Sequence, residues 1–253
     1  MSSRSKRSRV VYSLGAIGLV VYGFFVSQIA VLFLIQAFVS AGILPANSLE
    51  SAVLQFNASF LAYLLALGII LGTFTAIRNS SKGLKDILGI KKRPSWGILY
   101  YIFAGYGIYF LLSFVLMALS ELLIPGFNVD EKQSVGFEQL NGQLEYVMAF
   151  LALVVLAPVV EETIFRGFLF GRLRRNMNFW WTAIVVSLVF GAIHMQLNVG
   201  VDVFALSLIL CYVREKTGSI WAGVGIHMVK NSLAFAILFL QLDLQNLTLN
   251  LLH

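Results

Sequence analysis

An all-α bundle of about seven to eight transmembrane helices, with its N-terminus in the cytoplasm, is the fold this sequence predicts, and three observations carry it. The first is composition. Of 253 residues, 59% are hydrophobic and 12% are charged, whereas a soluble domain is about 45–50% apolar and roughly 25% charged. The second is run length, since several apolar stretches reach the roughly 20 residues needed to cross a bilayer. The third is charge placement: 15 of the 18 Lys and Arg fall in segments that alternate spans would put on one side.

The apolar runs follow in order at about 10–43, 57–77, 96–125, 143–164, 179–197, 199–213 and 219–242. The first is more than twice the length of a signal-peptide core of roughly 7–15 residues, and no small-residue cleavage site closes it, so it reads as a retained span. The sixth is short, and dividing the third and fourth differently would give eight spans instead of seven. Basic residues cluster at 4–9, at 78–93, at Arg172, Arg174 and Arg175, and at Arg214 and Lys216. The opposite connections hold only Lys132, beside Asp130, Glu131 and Glu138. That bias sets the N-terminus inside, in a multi-pass protein of the plasma membrane. The segment 78–95 is a basic interfacial connection that also suits an anionic leaflet. The chain divides into N-terminal spans (1–140), a core carrying the chemistry (141–240) and a tail (241–253) that alternates Leu with polar residues.

Composition also excludes classes. A net charge of +6 in so apolar a chain marks membrane topology and not a nucleic-acid partner. Cys211 is the lone cysteine, so an internal disulfide and a cysteine-based metal site are both excluded. Only His194, His227 and His253 are available for histidine chemistry.

Ionisable residues within spans cost several kcal/mol and usually mark function. Glu161, Glu162 and Arg166 sit in the fourth run, His194 near the far end of the fifth, Asp202 at the start of the sixth, and His227, Lys230 and Asn231 inside the seventh. On a helix Glu162 and Arg166 are at i,i+4 and share a face. Glu161 is turned about 100° away and lacks that partner. Two adjacent carboxylates then have different surroundings, the pattern that separates a structural acid from a working base. A plain stabilising ion pair at a helix end is the competing reading. If the fourth helix runs to about residue 176, unbroken by Gly167 or Gly171, Glu161 and His194 lie at one height on antiparallel neighbours. His227 and Asn231 are again at i,i+4, behind Gly223 and Gly225, which permit close approach. Counted along their helices, His227, Asn231 and Glu161 come about 14, 20 and 22 Å from the inner side, so all can line one cavity. A carboxylate and a histidine at one point can hold and deprotonate a water, and a neutral His with an Asn amide can stabilise an oxyanion. No Ser/His/Asp order is evident, so a covalent intermediate is disfavoured.

EExxxR at 161–166, extending to EExxFRG, FxxxH at 190–194 and HxxxN at 227–231 stand in the order of the CPBP family, the CAAX-protease and bacteriocin-processing (Abi) membrane proteins, which include the Ras-converting CAAX endopeptidases. The stretch TGSIW at 217–221 also resembles that family, over roughly residues 145–235 in all. The resemblance implies eight spans and a cavity open to the cytoplasm. It implies that Glu161 activates water with help from His194, that His227 and Asn231 donate to the oxyanion, and that Glu162 and Arg166 support the site. Phe190 and Trp221 are its candidate substrate-binding residues. The expected activity is hydrolysis of a peptide bond in a membrane-bound or lipidated, CAAX-like substrate, whose prenylation is left open, without a cofactor. A Zn²⁺ reading, with Glu161, His194 and His227 as ligands and water in the fourth position, stays beside it, although HxxxN lacks the second histidine of HExxH. The alternatives in function are a non-proteolytic immunity or regulatory protein using the cavity for binding, and a proton-coupled transporter, against which the absence of inverted repeats speaks.

Overall fold

The computed structural model describes residues 6–45, 48, 51–78, 84–90, 96–131, 137, 140 and 142–239. Arg4, Lys82, Lys91, Lys92, Arg93, Lys132, Glu138 and the tail at 241–253 with His253 lie outside the described residues. The chain forms α1 (Lys6–Ser40), α2 (Ala52–Arg78), a short α3 (Leu84–Leu88), α4 (Ile98–Leu123), α5 (Gln143–Leu173), α6 (Phe179–Ala192), α7 (Leu197–Thr217) and α8 (Trp221–Phe239). Six of these are long and apolar enough to cross a membrane, and α6 is a shorter apolar helix. Seven apolar helices are thus seen among the described residues, at the lower end of the expected seven to eight. The protein is an integral, multi-pass, all-α membrane protein.

The helix ends follow local chemistry. The Asn178 side chain accepts from the Trp181 N–H at 3.0 Å and opens α6. Gly218 closes α7 in the left-handed conformation at φ 67°, and its N–H returns to the Arg214 carbonyl at 2.9 Å. Gly167 and Gly171 do not break α5, which runs through both. Instead, Pro158 lacks the N–H that an α-helix would use at that point, and a wide π-type turn, Leu151–Leu156, precedes it. A second, Thr163–Leu169, follows Glu162. Such turns recur at functional sites, and here they flank the two glutamates on both sides.

The basic ends of the helices gather at one end of the bundle. There Arg174 pairs with Glu215 at 2.9 Å, Asn176 donates to Ser13 at 3.3 Å, and the Arg172 guanidinium lies 4.7 Å above the Phe74 ring. A main core of α1, α2, α3, α5 and α6 centres on Phe165, Phe168 and Leu169. A second joins α4, α7 and α8 through Leu206, Leu210 and Ile226. A third lies toward the other end, where Phe137 packs with Ala149, Val154 and Phe235.

Candidate active site

Glu162 is wholly buried, and its Oε1 accepts from Arg166 Nη1 at 2.9 Å. The i,i+4 pair expected from spacing is formed inside the protein. The Arg166 guanidinium also stacks over the Phe190 ring, with its carbon 4.4 Å from the centroid. Two cationic and aromatic surfaces thus face each other where water is excluded, a setting that strengthens such contacts.

Glu161 has other surroundings. Its Oε1 accepts from the Tyr63 hydroxyl of α2 at 2.7 Å, and it faces a cavity of about 240 Å³. His227 stands between the two carboxylates. Its Nδ1–H donates to Glu162 Oε1 at 3.1 Å, and its Nε2 lies 3.9 Å from Glu161 Oε2. A carbon at Gly223 would sit 2.9 Å from Glu162 Oε2, so the glycine one turn before His227 lets α8 close on the buried acid. Gly225 does the same toward α4, where a side-chain carbon would meet Ile102 at 2.4 Å.

His194 follows α6 in the turn to α7 and also lines the cavity. Its Nδ1–H donates to the Phe190 carbonyl at 2.8 Å, which leaves Nε2 as the acceptor in the neutral ring. Asn231 donates from Nδ2 to the Leu153 carbonyl at 2.8 Å, fixing the amide on the cavity wall. Glu161, His194, His227 and Asn231 are therefore brought to one cavity, with Glu162 and Arg166 behind it.

Phe190 is fully buried beneath the site, edge-on to Phe165, His194 and His227 at 4.9, 5.0 and 6.0 Å between centroids. Trp221 opens α8 at the basic end, and neither residue lines the cavity. On α5 and α8 the cavity walls run from Glu161 and His227 through Ala157, Leu153, Phe235 and Phe239, toward the end opposite the basic loops.

Two contributors escaped the sequence reading. Tyr63 precedes Glu161 by 98 residues, and no local pattern announces such a contact. Lys230 lines the cavity and pairs with Asp202 at 3.5 Å, while Asp202 accepts from Tyr109 at 2.8 Å and from Ser113. Both charges were visible inside spans, and the rule that intramembrane charges seek partners was the signal that could have joined them. Among the described residues no group of three or more His, Cys, Asp and Glu stands out as a metal cluster.

Fold and site together define a multi-pass membrane protein with a carboxylate–histidine centre built into its helices. Residues 143–233 match the type II CAAX prenyl endopeptidase Rce1-like family, and the similarity read from the three motifs is thereby borne out. The chain is 26% identical over 194 residues to YdiL of Bacillus subtilis (strain 168), whose name makes it a candidate membrane peptidase; the match covers 74% of this chain and 72% of that one. It is 26% identical to the uncharacterized protein YyaK of the same organism over 187 residues, 68% of this chain and 58% of that one. An uncharacterized 24.3 kDa protein of Escherichia coli shares 32% identity over 94 residues, 35% of this chain and 43% of that one. No solved structure matches.

Proposed function

We propose that the protein is a glutamate-dependent intramembrane endopeptidase, hydrolysing a peptide bond of a membrane-bound or lipidated, CAAX-like substrate. The observation that carries this reading is the unlike setting of two neighbouring carboxylates bridged by one histidine. Glu162 is committed to Arg166 and His227, whereas Glu161 faces the cavity.

Glu161 then serves as general base, taking a proton from water as that water attacks the scissile carbonyl. The Tyr63 hydroxyl holds one carboxylate oxygen and leaves the other for the water. His194 presents an unprotonated Nε2, suited to accept from the water and orient it, and the proton that Glu161 takes from the water is then delivered by Glu161 to the leaving amine as the C–N bond breaks. With Nδ1–H given to Glu162, His227 can donate from Nε2 only as an imidazolium. That donor would face the negative charge that develops on the substrate oxygen. The second N–H of the Asn231 amide supplies a further donor. A general base of this kind contributes about 10²–10⁴-fold to a rate.

The reading needs no metal, since every step is assigned to a side chain. Mass-spectrometric comparison of new peptide termini in host membranes, between wild type and Glu161→Ala at matched expression, tests it. Termini confined to the wild type are expected, and they should persist in EDTA. Identical profiles from two folded proteins would overturn proteolysis in favour of a binding or immunity role, and termini lost in EDTA and restored by zinc would overturn the metal-free mechanism.

A further inference from the structure

One charged group in the cavity wall has no part in the chemistry assigned to Glu161, His194, His227 and Asn231. Lys230 lines the same cavity, next to Asn231 and three residues after His227 on α8. Side chains three apart share a helix face, and the rise from His227 to Lys230 is about 4.5 Å. Among the described residues that line the cavity, Lys230 is the only lysine or arginine, and much of the remaining wall is apolar, as at Leu153, Ile193, Phe235 and Leu238.

The ammonium is held loosely. Among the described residues it pairs with Asp202 Oδ2 at 3.5 Å, beyond the roughly 2.7–2.9 Å of a strong charge-assisted bond. An ammonium carries three N–H donors, so most of its bonding capacity is left for a ligand. Asp202 is anchored independently of it. The other carboxylate oxygen, Oδ1, accepts from Tyr109 at 2.8 Å and from Ser113, both buried side chains of α4. Two hydroxyl donors hold Asp202 in place whichever way Lys230 turns, so the lysine can change partners without releasing the helix contact.

We propose that Lys230 is a carboxylate-binding residue, whose ammonium turns from Asp202 to a carboxylate of the peptide in the cavity. An anionic group entering a cavity that already holds Glu161 meets like charge, and Lys230 is the cation that offsets it. An extended chain advances about 3.3–3.6 Å per residue, so the group lies within a few residues of the scissile bond. It is either the carboxyl terminus of the peptide or an acidic side chain. For its substrate the inference rests on the proposed endopeptidase reading, but carboxylate binding is measured without cleavage.

Three probes test it: N-acetyl-leucyl-leucine as the free acid, the same dipeptide as its terminal amide, and N-acetyl-aspartyl-leucinamide. Each is titrated into the purified protein in detergent and the rise in melting temperature followed, since a ligand that binds only the folded state stabilises it. Wild type, Lys230→Met, Lys230→Arg and Asp202→Asn are compared, each also with Glu161→Gln to prevent turnover. At least one acid should bind wild type about 10-fold or more tightly than the neutral amide, as a charge-assisted bond would give. That preference should vanish in Lys230→Met, persist in Lys230→Arg and grow in Asp202→Asn, where the ammonium has no internal competitor. Which of the two acids binds identifies the source of the carboxylate. A wild type and an Asp202→Asn that both ignore the acid, a preference unchanged in Lys230→Met, or an Asp202→Asn that gains nothing would each overturn the inference. Asp202→Asn decides alone if Lys230→Met does not fold, because a purely structural pair predicts lost stability in that variant and no gain for the acid. Absence of Glu161-dependent peptide termini bears on the chemistry alone, so the two readings fail separately.

Discussion

Helices α4 and α5 are equally apolar by mean hydropathy, at 2.1 over their most apolar windows, yet 11% of that window is buried inside the protein in α4 and 50% in α5. The outer surface of α4 offers Phe103, Phe110, Leu111 and Phe114 to lipid. Sequestered from lipid, α5 can carry Glu161, Glu162 and Arg166 at mid-membrane depth. Charge is tolerated in a span when neighbouring helices, and not hydrocarbon, supply its surroundings. The flanking helices therefore belong to the site. Tyr63 of α2 holds Glu161, and α3 closes the base of α5.

The sharpest way to break this contrast is to remove the charge that makes α5 possible. Arg166→Met leaves Glu162 buried with only His227 opposite it, and loss of one partner of a buried pair costs about 3–5 kcal/mol. A large fall in thermal stability in detergent, with cleavage abolished, is expected. Combining Arg166→Met with Glu162→Leu should return much of the stability while activity stays lost, because an apolar pair of similar volume removes the unmatched charge. A single variant as stable as wild type would mean that water reaches Glu162 and that α5 is less enclosed than its packing indicates.

A smaller effect sharpens the role of the outer helices. Tyr63→Phe deletes one hydroxyl that donates to a carboxylate, an interaction worth about 1.5–3 kcal/mol. The turnover rate should fall by roughly 10-fold or more, with folding retained. An unchanged rate would reduce α2 to a wall of the cavity. The smallest effect belongs to the exposed pair at the basic end. Arg174→Ala separates a guanidinium from Glu215 where the two side chains are 39% and 32% exposed, and such pairs are worth about 0–1 kcal/mol. Neither melting temperature nor cleavage should move measurably, in contrast with Arg166, which makes the same kind of bond at the same length inside the protein.

Much of this was legible without a structure, and for one reason. Spans, their alternation and the bonding of Glu162 to Arg166 depend on bilayer thickness, the helical period and local charge, all of which act within a few residues. The Glu161–Glu162 division followed from the same period, as did the close approach at Gly223. The two wide turns of α5 were not visible, because Pro158 predicts a disturbance but not the form the helix takes around it. The contacts of the Phe190 ring with Arg166, His194 and His227 were not visible either. They depend on how α6 rotates against α5, which no spacing within either helix specifies.

By itself, then, the sequence determined an all-α membrane protein, its charge asymmetry, the residues of the carboxylate–histidine centre and the family it resembles. Only the tertiary structure decided that Tyr63 reaches Glu161, that Lys230 meets Asp202, that α3 seals α5, and toward which end the cavity runs. The first group rests on interactions between residues close in the chain or on the bilayer as solvent. The second rests on the rotation and depth at which separate helices pack, which are settled jointly by all of their side chains.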